Sequence, residues 1–387
     1  MRSVVLMLMV IVAVVGCATT NLHPLTDKGI ELEPDEARIW TRCQEQEQLL
    51  DRSGLLYEDS ETREYLNAVA AKIQPAEVYA KIPFRVEVIK DPRLNAFAFP
   101  NGVIYVHTGI LSRMENEAQL ATLLAHEMTH CTHRHAVEQF RDLQNKTAFL
   151  ATLQVTTAPL GGIGDVATLL GALGTMAAVT GYSREHESEA DEQGFRRVVE
   201  AGYDPQETPK LFQHLKRDIE EEKIKEPFFF GTHPRLQERI KNYEQLLARE
   251  QLGPMGGTKN AEQFTQKVHR VFLDNASLDL KRGRFKQAET GIERYLTVGG
   301  EEARPYFLLG ELCRQRGVQG DTEKAIAYYR KSIEFDPSYP EAYRGLGFLY
   351  LKEKEKGLAK AHFERYLALA PQAADRRYIE EYIKKLQ

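Results

Sequence analysis

Apolar residues recur at helical spacing along most of this chain and at strand spacing in one short stretch. Over residues 34–53, Ala37, Ile39, Trp40, Cys43, Leu49 and Leu50 mark an inward helical face. Over residues 59–74, Tyr65, Leu66, Val69 and Ile73 mark another. Residues 84–89 alternate apolar and polar and are rich in β-formers, so they predict a strand. Residues 95–99 predict a second strand. Past a Pro100-Asn101-Gly102 turn, residues 103–107 predict a third. Ala118, Leu120, Ala121, Leu123, Leu124 and Ala125 then form a run of strong helix formers. Ser112-Arg113-Met114-Glu115 just upstream has the spacing of a capping box. A further helix is expected over residues 182–200, stopped by Ala201-Gly202 with Pro205 beyond.

Three stretches depart from this pattern. The first is N-terminal: Met1-Arg2 precedes a continuous apolar run over residues 4–15, too short for a typical spanning helix of about 20 residues. It reads as a signal peptide over 1–16. The sequence Val14-Val15-Gly16-Cys17 resembles the lipobox of bacterial lipoproteins, which implies a lipidated Cys17 and a polar tether over 17–33. Because residue 18 is Ala rather than Asp, that resemblance implies sorting to the outer membrane. The second stretch, 147–182, carries a single charge, Asp165, among many Gly, Ala and Thr residues. It suits a helical lid beside a site or a surface that touches lipid.

The third departure is a period in the C-terminal third. Tyr343, Leu346-Gly347, Tyr350, Ala359, Phe363 and Pro371 fit the tetratricopeptide pattern. Tyr306, Leu309-Gly310, Ala325, Tyr329 and Pro337 repeat it one unit earlier, and Gly283, Phe285, Ala288 and Ile292 mark a degenerate first unit. Three stacked repeats with a final helix over 376–386 predict an α-solenoid over 261–387 whose groove takes a protein partner. A Gly- and Pro-rich linker over 251–260 separates it from a domain over 34–250. The fold expected is mainly α (α+β), a small sheet within the first domain followed by the solenoid.

Composition narrows the function. The 387 residues carry a net charge of -5 with no long basic run, which argues against nucleic acid. Beyond Cys17, the cysteines Cys43, Cys131 and Cys313 are odd in number and far apart, so they form no disulfide framework.

The chemistry lies in His126-Glu127-Met128-Thr129-His130. Helical residues four apart share a face, so the two imidazoles can meet one metal ion. Glu127 lies one residue round, where it can take a proton from water activated by that ion. Such a pair needs a third ligand from elsewhere. On the helix over 182–200, Glu187 and Asp191 are four apart and suit a carboxylate ligand with a second carboxylate behind it. His133 and His135 are expected on other helical faces as surface or packing residues, and Glu185, His186 and Glu189 as solvated or supporting.

Together these motifs resemble the gluzincin family that holds HtpX and the CAAX prenyl endopeptidases, nearest its soluble periplasmic BepA-type branch. The likeness rests on H-E-x-x-H, on Ser183-Arg184 with Glu187-x-Glu189-Ala190-Asp191-x-x-Gly194, and on Ala201-Gly202-Tyr203-Asp204-Pro205. Residues 95–102 and 107–111, Thr232-His233-Pro234 and Glu238-Arg239-Ile240 also match. It spans residues from about 25 to 250 and implies a zincin-type peptidase domain with one Zn2+ per chain. His126, His130 and Glu187 would be ligands, Glu127 the general base, and Asp191 the residue that orients His126. It places His233 near the metal, as a fourth ligand that latches the site or as a helix cap. Substrate would add as a strand along Gly102, Val103, Ile104, Tyr105 and Val106. Two function classes follow. One is a lipid-anchored periplasmic zinc endopeptidase acting on misfolded or unassembled envelope proteins. The other is a chaperone-like assembly factor with a mostly latent zinc site.

Overall fold

The computed structural model describes residues 21–145, 182–222, 236–250, 256–300 and 302–386. The chain divides into two compact units, Met1–Ala261 and Glu262–Gln387. The signal peptide, Cys17, His233 and all but the last residue of the 147–182 stretch lie outside the described residues.

The first unit opens with α1 (Pro34–Arg52), α2 (Ser60–Ile73) and α3 (Ala76–Lys81). In α1 the buried stripe is Glu36, Ile39, Cys43, Glu47 and Leu50, while Leu49, expected inward, is 43% exposed. The two glutamates are tolerated there because Arg134 pairs with Glu36, and Arg85 and Asn101 bond to Glu47. Asp59 caps α2 through its side chain, as a short polar residue does best.

Three strands follow: β1 (Arg85–Ile89), β2 (Ala96–Ala98) and β3 (Val103–His107). Among the described residues the sheet order is β1-β3-β2, with β3 parallel to β1 and antiparallel to β2. This corrects one expectation: Val103 to Val106 form a central strand and offer no free edge. All five residues of β3 are buried, which is what a strand paired on both sides and covered on both faces requires. Gly102 is the turn residue before it, at φ 92, where a Cβ would also strike Ile82 at 2.5 Å.

The short helix α4 (Thr108–Leu111) leads into α5 (Glu117–Thr132), the axis of the domain. All sixteen residues of α5 are buried, so it is a central helix rather than an amphipathic surface one. Its N-cap is Asn116, whose side chain accepts from the Gln119 amide. Ser112 instead ends α4, donating to the Gly109 carbonyl. The expected capping box therefore gives way to a cap four residues later, where Glu207 accepts from Asn116 and fixes it.

A helix buried on every side must satisfy its polar groups within the protein. Glu117 accepts from Tyr65, Tyr203, Lys72 and Asn260. Thr122 meets Thr208. Around α5 pack α2, β2 and α6 (His135–Asn145), with α7 (Arg184–Glu200) and α8 (Glu207–Glu222) on other sides. The unit is completed by α9 (Leu236–Arg249), packed on α7 and α8. The last part of the expected linker is not loose: Thr258 bridges Tyr203, and the Lys259 carbonyl accepts from the Glu117 amide at the head of α5.

Among the described residues the elements of the second unit are helices: α10 (Ala261–Lys281) with α11 (Phe285–Leu296), α12 (Ala303–Arg316) with α13 (Asp321–Phe335), α14 (Pro340–Lys352) with α15 (Lys356–Leu369), and a final α16 (Arg376–Lys385). Glycines set the helix spacing. A Cβ on Gly310 or Gly345 would lie within 2.6 Å of the Tyr329 ring, and one on Gly347 within 2.5 Å of Phe363. Bulky rings on one helix thus fill notches on the next.

Candidate metal centre

The site is made by two helices crossing closely, α5 and α7. Gly194 permits that approach: a Cβ there would sit 3.1 Å from the His126 backbone nitrogen and 3.2 Å from the Ala125 carbonyl carbon. The i, i+4 spacing on α5 brings the His126 and His130 Nε2 atoms to 3.0 Å from each other. From α7, Glu187 places Oε2 3.6 Å from His126 Nε2 and Oε1 3.4 Å from His130 Nε2. All three side chains are buried.

The donor set fits a zinc ion. Tetrahedral coordination with metal–ligand bonds of about 2.0–2.1 Å separates neighbouring donors by roughly 3.3–3.4 Å. The separations found lie near that value, with Glu187 turning one carboxylate oxygen toward each ring. Among the described residues this is the group of His, Cys, Asp and Glu side chains able to share one ion. Glu127, next to His126, is 1% exposed.

Behind the ligands lies a buried polar network. Asp191 Oδ1 is 3.1 Å from His126 Nδ1. It also accepts from Arg239 Nη2 at 2.7 Å, from Arg239 Nε at 3.0 Å and from the Tyr243 hydroxyl at 2.5 Å. Arg239 Nη2 lies 2.9 Å from His126 Nδ1 as well. A metal held by Nε2 would choose between these contacts, since it would leave the ring proton on Nδ1 for Asp191 to accept. Burial raises the Asp191 carboxyl above the usual carboxylate range, while the Arg239 guanidinium pulls the other way. The Arg239 ring neighbour is Phe212, with the guanidinium carbon 4.2 Å from its centroid.

The sequence motifs assign no role to Arg239 or Tyr243. Their signal was an arginine on the apolar stripe of α9, in line with Tyr243 and Leu246 at positions four and seven further on. His135 is a clearer correction. It is 1% exposed, and its Nδ1 is 2.9 Å from His130 Nδ1. The helix does not run on: α5 ends at Thr132, Arg134 adopts φ 62, and α6 restarts at His135 in a new direction. Periodicity carried through that break assigns the wrong face. His186 stacks on His135 at 4.4 Å and bonds to Glu138. Tyr182 stacks on His130 at 3.7 Å, and burial pushes its hydroxyl well above the ordinary range. The cysteines Cys43, Cys131 and Cys313 are free and buried. Cys131 donates to the Phe99 carbonyl, a packing contact.

Two histidines and a glutamic acid on one helix, completed by a glutamate from a second, define a metallopeptidase centre. Residues 59–247 match the model of peptidase family M48, and residues 318–353 that of a TPR repeat. Residues 59–247 are therefore a domain of peptidase family M48, and tetratricopeptide repeats follow it in the sequence. A relative in Vibrio cholerae is 30% identical over 284 residues, 72% of this chain and 52% of that protein. The beta-barrel assembly-enhancing protease of Escherichia coli (strain K12) is 27% identical over 231 residues, 58% of this chain and 46% of that one. The mitochondrial metalloendopeptidase OMA1 of Schizosaccharomyces pombe is 31% identical over 190 residues, 49% and 54% of the two chains. The chain thus spans about half the length of the curated relatives it matches. Solved structures overlay loosely: the TPR2AB domain of yeast Sti1 in its pHSP90 complex gives a TM-score of 0.28 at 12% identity, over 70% of this chain and 90% of that one.

Proposed function

We propose that this protein is a zinc-dependent endopeptidase of the bacterial periplasm, tethered through Cys17 to the outer membrane, that cuts misfolded or unassembled envelope proteins. The observation that carries the reading is the convergence of His126, His130 and Glu187, with Glu127 buried beside them. Zinc held by those three side chains supplies Lewis acidity, polarising a carbonyl and acidifying water.

The remaining work falls to this chain's own residues. Glu127 takes the proton from the attacking water and returns it to the leaving amine. Asp191 accepts from His126 Nδ1–H and fixes the ring so that Nε2 faces inward, and Arg239 and Tyr243 hold Asp191 in turn. Among the described residues β2 forms the sheet edge beside α5. An extended substrate pairing with Ala96–Ala98 would be held by backbone hydrogen bonds, which impose little sequence preference. That suits a substrate recognised by its unfolded state. The periplasmic placement and the envelope substrates rest on the sequence likeness to the Escherichia coli protease and on the lipobox-like Gly16-Cys17. The repeat unit is assigned a protein partner because stacked helix pairs present a concave surface for peptides. Among the described residues no helix is long and apolar enough to cross a membrane.

The deciding test compares cleavage of casein and of a denatured outer-membrane protein by the wild type and Glu127→Gln, with zinc content measured for both. Full zinc in both and cleavage only by the wild type is the expected result. Equal cleavage by the two proteins would overturn the assignment.

A further inference from the structure

The contacts of His126 account for one ligand ring; those of His130 run through His135 and Glu189, which the sequence offers only as packing or supporting residues. His130 Nδ1 is 2.9 Å from His135 Nδ1, and His135 Nε2 is 3.2 Å from Glu189 Oε2. We propose that Glu189 and His135 form a relay that positions His130 and sets its tautomer, as Asp191 does directly for His126.

The direction of the relay follows from its outer end. An ionised carboxylate only accepts, so His135 must carry its proton on Nε2 and donate it to Glu189. A neutral His135 then presents a bare Nδ1. The contact with His130 can form only if His130 Nδ1–H is the donor. His130 is left with an unprotonated Nε2, facing His126 Nε2 at 3.0 Å. That lone pair is directed toward His126 Nε2 and the Glu187 carboxylate, where a cation would be held. The relay thus prepares the metal seat from the far side of His130.

Geometry supports a built device rather than a chance contact. His135 is 1% exposed and is sandwiched by position: its ring stacks on His186 at 4.4 Å with an interplanar angle of 10°. His186 is itself anchored to Glu138 at 2.9 Å. The positive φ of Arg134 is what turns His135 back toward His130, and the Arg134 guanidinium is pinned by Glu36. Glu189 lies on α7 two residues beyond Glu187 and two before Asp191, so one helix supplies the ligand and both supporting carboxylates.

This inference rests on the zinc site proposed above, and its test separates the two. Zinc affinity is measured by competition with a chromophoric chelator on the full chain, for the wild type, His135→Leu, His135→Asn, Glu189→Leu and the double variant His135→Leu/Glu189→Leu. Loss of the relay should weaken zinc by about 10–100-fold in His135→Leu. His135→Asn, whose Oδ1 stands where Nδ1 stood, should stay within a few-fold of wild type. Glu189→Leu should fall between, and should cost nothing further once His135 is gone. Melting of the metal-free proteins identifies any variant that fails to fold, and the partly exposed Glu189 then carries the test. Wild-type affinity in His135→Leu, or an undiminished Glu189→Leu effect in the double variant, would overturn the relay while leaving the zinc site intact. A wild type that binds no zinc would sink the proposed function itself.

Discussion

Gly194 on α7 and His126 on α5 touch through their backbones, the position of a Cβ on the glycine lying 3.1 Å from the histidine nitrogen. Glu187 and Asp191 ride on the same helix as Gly194. Any group that wedges the two helices apart therefore pulls both carboxylates from the imidazoles. Gly194→Val should lower zinc affinity by at least 10-fold and remove cleavage, while Gly194→Ala, which asks for a shift of only a few tenths of an ångström, should do far less. Chelator competition on both variants checks this.

The Arg239–Asp191 pair is buried on both sides. Removing one partner of such a pair costs about 3–5 kcal/mol, because the other charge is stranded. Arg239→Met should be destabilised by roughly that amount, and Arg239→Met/Asp191→Asn by clearly less. Urea unfolding of the three proteins gives the comparison.

Acid should loosen the head of α5. Burial works to raise the Glu207 carboxyl, but hydrogen bonds from Lys210, Lys259, Asn116 and Gln119 overcome it and bring it down to about 2. In the unfolded chain the same group takes a proton near 4.5. Its contribution to stability is complete above that value and is lost as pH falls through about 2, because the unfolded state binds the proton first. Glu117, held low by Tyr65, Tyr203, Asn260 and Lys72 against its burial, works in the same direction. Glu207→Gln should flatten the fall of melting temperature between these two pH values, measured against wild type.

Metal removal should act on one unit. A ligand bound by the folded state alone stabilises by about 2.7 kcal/mol at one hundred times its dissociation constant. Zinc ties α5 to α7 in the first unit and has no ligand set among the described residues of the second. A chelator should therefore lower the melting transition of the peptidase unit and leave that of the repeat unit in place, as calorimetry would resolve.

In the repeat unit, Gly345 faces the Tyr329 ring with 2.5 Å left for a Cβ. Overfilling such a contact costs about 1–3 kcal/mol. Gly345→Val should lower the melting temperature of the repeat unit and leave zinc binding unchanged.

Much of this protein is local chemistry and was legible as such. The spacing of His126 and His130, the stop of α7, the alternation of the strands and the repeat glycines are each written within a few residues, where backbone geometry links position to direction. What needed tertiary structure was every decision made between distant segments. The chain Val103–His107 has the pattern of any buried strand, and only its pairing with β1 on one side and β2 on the other makes it central. The cap of α5 passes from Ser112 to Asn116 because Glu207, 91 residues away, holds it there. His135 falls on another helical face than the metal pair, as a surface or packing residue, until one left-handed residue, Arg134, ends the helix and brings its ring to His130. Periodicity fixes which way a side chain points along an unbroken helix; where the backbone breaks, the direction is set by the contacts that hold the break.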